Sequence, residues 1–133
     1  MNTQDIEGIG PAYAKRLAGA KIQTTGDLLK KGGSAKGREA LAKATGFSEK
    51  RLLEWVNRAD LYRIKGVGSE YADLLEAAGV DTIVELSKRT ADGLSKKLKA
   101  VNAKDKIVRD LPTPAQVADW IKQAKSLPRA VSY

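Results

Sequence analysis

Apolar residues recur along this chain at helical spacing. Leu52, Trp55, Val56 and Ala59 stand at i, i+3, i+4 and i+7, Leu94, Leu98 and Val101 mark another stripe, and Val117, Trp120, Ile121 and Ala124 repeat the first. Residues so spaced share one side of a helix, the side that a fold buries. No run of strand length alternates apolar and polar positions through β-branched residues, so the pattern predicts an all-α chain.

Turn and cap residues divide the pattern into elements. Gly8-Ile9-Gly10-Pro11 opens a helix over about 11–20, and Gly66-Val67-Gly68-Ser69 opens another over about 69–78. Thr24 or Thr25 caps a short helix carrying Leu28 and Leu29, and Gly32-Gly33-Ser34 reads as the most mobile loop of the first half. A helix over about 38–45 stops at Gly46, and Ser48 caps the Trp55 helix, which runs into the second glycine turn and is expected to lead it. Lys21 occupies the left-handed place held by Gly79 in the second half. Beyond Gly79, Thr82-Ile83-Val84-Glu85 reads as a capping box and a helix spans about 91–101. Residues 103–111 have no counterpart in the first half, and Thr113-Pro114-Ala115-Gln116 begins the last helix.

The two halves match in register. Gly66 follows Gly8 by 58 positions, as Tyr71 follows Tyr13 and Leu86 follows Leu28, while Val117, Trp120, Ile121 and Ala124 follow Leu52, Trp55, Val56 and Ala59 by 65. The match predicts one compact domain over 1–133 built from two pseudo-symmetric repeats, 6–62 and 64–127. Only five residues precede the first repeat, so the last helix is expected to fold back beside Ile6, Ile9 and Leu17. Within one chain that contact gives a monomer, and between two chains a swapped dimer.

Composition narrows the chemistry. The chain contains no Cys and no His, which removes disulfides, thiolate or imidazole zinc sites, Cys and His nucleophiles and the Ser-His-Asp arrangement. Scattered carboxylates form no Asp-x-Asp or similar metal constellation. No apolar run approaches a membrane span and the first five residues are too polar to begin a signal peptide, so a cytoplasmic protein is expected. The net charge of +8 favours an anionic partner. Each half carries +4, with one dense cluster of Lys96, Lys97, Lys99, Lys104, Lys106 and Arg109. Trp55 and Trp120 fall on apolar helix faces and read as core, and Tyr13 and Tyr71 read as structural.

Gly8-Ile9-Gly10-Pro11 with Ala14 and Leu17, and Gly66-Val67-Gly68 with Ala72 and Leu75, resemble the helix-hairpin-helix motif, a sequence-independent DNA-binding element of repair polymerases, ligases, nucleases and Holliday-junction proteins. The first copy, continued through Ile22, Thr24, Asp27 and Leu28, is similar to a hairpin of the family X DNA polymerases. The doubled arrangement resembles small bacterial helix-hairpin-helix proteins of a domain-of-unknown-function family over nearly the whole chain. That resemblance implies non-enzymatic binding to the DNA backbone. It also implies an optional monovalent cation on turn carbonyls around Ile6 and Ile9, or Ile64 and Val67. Related glycosylases carry a catalytic Lys two positions after the second glycine, where this chain has Ala12 and Glu70, so that chemistry finds no nucleophile.

A glycine turn at a helix start presents unpaired amides and the positive end of the helix dipole, a cradle for phosphate. The candidate contacts are Gly8, Ile9, Gly10, Lys15 and Arg16 at the first turn, and Arg63, Lys65, Gly66, Val67 and Gly68 at the second. Glu70, Asp73 and Glu76 leave the second turn more acidic, so the first is the expected main contact. The competing expectation is an adaptor whose helical faces engage another protein.

Overall fold

The computed structural model describes residues 1–133. Eight α-helices follow one another: α1 Pro11–Gly19, α2 Thr25–Gly32, α3 Ala35–Thr45, α4 Glu49–Leu61, α5 Ser69–Ala77, α6 Ile83–Ser87, α7 Ala91–Asp105 and α8 Pro114–Ser126. The chain has no strand, and the all-α expectation holds. No helix is long and apolar enough to cross a membrane. The helices sort into two compact units, one of residues 1–60 with 129–133 and one of residues 61–128.

In unit 1, α3 packs on α1 and α2. Thr24 caps α2 by accepting from the Asp27 N–H, and Asp27 accepts in return from the N–H groups of Gln23 and Thr24, each at 3.2 Å. The backbone bonds from Gln23 and then Thr24 hold the Asp27 carboxyl below its ordinary value of 3.8. A lowered folded-state value means that this cap stabilises α2 above the unfolded carboxyl's pKa and that the contribution disappears as pH falls through the folded value. A carbon-detected titration of Asp27 is expected to give a midpoint below 3.8; a midpoint at or above it would contradict the cap.

Two of the expected boundaries move. Helix α3 starts at Ala35, capped by Ser34, and α7 continues to Asp105 before Lys106 turns left-handed at φ 50°. Lys21 takes the left-handed conformation at φ 65°, as Gly79 does at φ 89°. The glycine segment at 32–34 is not a loose loop. Gly32 and Gly33 are buried, and the equally buried Arg38 guanidinium donates to both of their carbonyls at 2.9 and 3.0 Å.

In unit 2, α8 packs on α6 and α7, and α5 on α7. Trp120, Val117, Ile121 and Ala124 lie in one cluster with Ile64, Val67, Leu74, Leu75, Leu86, Leu94 and Leu98. This corrects the expectation that the last helix packs beside Ile6, Ile9 and Leu17. The Trp120 indole instead lies under the glycine turn of its own unit, with Nε1 3.0 Å from where a Gly66 Cβ would stand. Trp55 occupies the same place in unit 1, its Nε1 3.8 Å from a Gly8 Cβ. The Trp55 helix therefore follows and covers the first turn, where the sequence suggested a helix leading the second. Each indole also meets the tyrosine of the helix that the turn opens: the ring of Tyr71 lies 5.2 Å from Trp120, and that of Tyr13 lies 6.0 Å from Trp55, which packs 4.8 Å from Phe47 as well.

Candidate nucleic-acid interface

Both glycine turns are anchored from inside. Ile6 and Ile9 are buried, and the Ile9 N–H donates to the Ile6 carbonyl at 3.1 Å. Ile64 and Val67 are buried in the same way, with the Val67 N–H on the Ile64 carbonyl at 3.2 Å. Gly8 and Gly66 adopt φ of 91° and 98°, a left-handed conformation in which a side chain is strained. At the second turn Gln123 grips the Lys65 peptide from both sides, accepting from its N–H at 2.9 Å and donating to its carbonyl at 3.1 Å. The Ile6 and Ile64 carbonyls each accept one amide and keep a second lone pair, which suits the cation implied by resemblance.

The other glycine of each turn behaves differently. Gly10 and Gly68 are N-caps of α1 and α5 in extended conformations, φ −83° and −99°, that any residue adopts. A Cβ at either position would meet nothing within 4 Å. Neither backbone strain nor internal packing requires glycine here. The remaining helices are capped by side chains: Thr24, Ser34, Ser48, Thr82, Thr90 and Thr113 each accept a first-turn N–H. Helices α1 and α5 have no side-chain cap. The two helices that follow Gly-x-Gly turns thus keep bare, approachable N-termini, although Ser at Gly10 and Gly68 would add a capping oxygen and roughly a few tenths of a kcal/mol.

The candidate cations divide into several settings. Lys15 is exposed on α1 beside a shallow depression of about 330 Å³. Arg16 is exposed too, but its guanidinium is engaged: it donates to the Thr45 carbonyl, closing the end of α3, and lies 4.0 Å over the Phe47 ring. Arg63 is half-buried and donates to the Pro128 carbonyl at 2.9 Å. Lys65 is exposed.

Two arginines were not singled out at these turns by the sequence. Arg109 lines an open cleft of about 680 Å³ with Gly66, Gly68, Ser69, Glu70, Tyr71 and Asp110. It is brought there by the Tyr71 hydroxyl, which donates to the Asp110 carbonyl at 3.2 Å. In unit 1 the exposed Arg51 donates to the Tyr13 hydroxyl at 3.2 Å. The matched tyrosines at 13 and 71 were the available signal, since each brings distant chain to the start of its helix. The rest of the basic cluster lies elsewhere on α7 or just beyond it, with Lys96 paired to Asp92 at 3.4 Å.

No curated protein and no solved structure matches this chain. A family model does match, over residues 7–127, and by that match the chain belongs to the family described as Domain of unknown function (DUF4332).

Proposed function

We propose that the chain is a non-enzymatic binder of the DNA backbone, holding phosphates at two pseudo-symmetric helix-hairpin-helix turns without reading base sequence. The observation that carries this reading is the pair of N-cap glycines. Gly10 and Gly68 stand where neither conformation nor packing demands glycine, at the two helix starts that lack a capping side chain. A bare helix start next to an open glycine favours an anion that approaches to van der Waals contact. The charge of +8 supplies long-range attraction.

The side-chain contacts are reassigned from the sequence expectation. With Arg16 committed to Thr45 and Phe47, Lys15 and the exposed Arg51 carry the positive charge at the first turn. Arg109 adds a cation at the second, in a cleft it shares with the carboxylates of Glu70 and Asp110.

A salt-series titration of the intact protein with short duplexes tests the reading. Affinity is expected to fall steeply with salt and to be unchanged by scrambling the duplex. Lys15→Glu and Arg109→Glu should each lower the salt slope by about one unit, and Glu70→Lys should tighten binding. Lack of binding at low salt to duplex, junction and single strand would overturn the reading in favour of a protein adaptor.

A further inference from the structure

The chain returns to unit 1 through residues 129–133, and the way it is held there describes a site. The Ser132 N–H donates to the Gly33 carbonyl at 2.8 Å, while the Ser132 carbonyl accepts from Arg38 Nη2 at 2.6 Å. Both main-chain groups of one residue are thus read by unit 1. Val131 is 3% exposed, so its side chain is enclosed. Gly33 has ordinary helical dihedrals, yet a Cβ there would overlap the Ala130 carbonyl oxygen and stand 2.7 Å from that of Leu29. Glycine is required at this position because the strap passes over it. Arg38, 4% exposed, is a buried cation whose hydrogen bonds all run to main-chain carbonyls: Gly32 and Gly33 on the receiving side and Ser132 on the strap.

A buried donor, a main-chain acceptor shared between Arg38 and the strap, an enclosed place for the Val131 side chain and a glycine floor together make a receptor for an extended peptide. Recognition runs through main-chain groups and one β-branched side chain, the chemistry by which a segment is bound whether or not it belongs to the same chain. We propose that unit 1 carries a peptide site for an extended segment of the type Ala130-Val131-Ser132, filled in the resting molecule by the chain's own strap and open to the same segment of a second copy. The covalent link makes the resident strap a ligand at high effective concentration, so an outside segment competes only when the strap is weakened.

The test uses the full chain and a fluorescent peptide spanning 126–133. Full-length Val131→Asp places a charge in the enclosed pocket and should release the strap while leaving the receptor intact. Full-length Ser132→Pro, which loses the N–H bonded to Gly33, serves as a second host should the first fold poorly. The peptide is expected to bind each strap-weakened host saturably at one per chain, at least tenfold more tightly than it binds wild type. A peptide carrying Val131→Asp should lose that binding. Failure of the peptide to bind either folded host, equal binding to wild type and hosts, or equal binding of the Asp peptide would each overturn the proposal. None of these outcomes depends on whether the chain binds DNA.

Discussion

Replacing Trp120 with alanine is expected to remove about 3–5 kcal/mol from the stability of unit 2, the range for deleting a buried aromatic and leaving its cavity. The indole is 2% exposed, sits in the same cluster as Ile64, Val67, Leu75 and Leu86, packs in a tilted contact with its ring centre 5.2 Å from that of Tyr71, and fills the space beneath Gly66. No neighbour can collapse into that space easily, because the turn above it is pinned by Gln123 on the Lys65 peptide. Such a loss is a large share of the 5–15 kcal/mol typical of a whole domain. Urea denaturation followed by helical circular dichroism is the measurement. A change within about 0.5 kcal/mol, the scale of surface substitutions, would show that the indole does not hold unit 2 together.

Arg38→Ala is expected to cost unit 1 about 2–4 kcal/mol. A hydrogen bond from a charged donor contributes about 1.5–3 kcal/mol, and a buried carbonyl left without a partner costs about 1–3 kcal/mol. The three bonds share one guanidinium, so their losses do not simply add. The same change should release the strap, read as faster hydrogen exchange at the Ser132 amide with α8 amides unaffected. Preserved exchange protection at Ser132 would contradict the role assigned to Arg38.

These two residues also mark the limits of what sequence pattern conveys. Helix positions, most caps and stops, and both glycine turns were legible, because periodicity and cap chemistry are local. The partner of the Trp55 helix was not. Its chain runs directly into the second turn, but continuity of chain does not decide which face packs where, and Trp55 covers the turn that precedes it. The order glycine turn, then tryptophan helix, is the same in both halves. The tryptophan offset of 65 against the glycine offset of 58 reflects the longer connection before α8 together with the greater length of α7 over α3. That ordering was available and pointed the right way.

Non-local hydrogen bonds account for the other differences. Gly32-Gly33-Ser34 has loop composition, yet Arg38 and a strap from the far end of the chain close over it. Arg16 is the exposed cation that its sequence suggests, yet the carbonyl of Thr45, 29 positions away, engages its guanidinium. Arg109 sits in a basic run that reads as a solvated patch, yet the Tyr71 hydroxyl draws its segment to the second turn. In each case one polar group on a distant element decided the side chain's place, and no periodicity encodes such a group.

The central claim is that the bare helix starts at the two glycine turns hold phosphate, and amide chemical-shift mapping of the isotope-labelled chain with a short duplex at low salt tests it most directly. The account predicts that the largest shifts fall on Gly8, Gly10 and Ala12 and on Gly66 and Gly68, and that raising the salt reverses them. Shifts that spare both turns and gather on a helical face elsewhere, or no shifts at all, would contradict it.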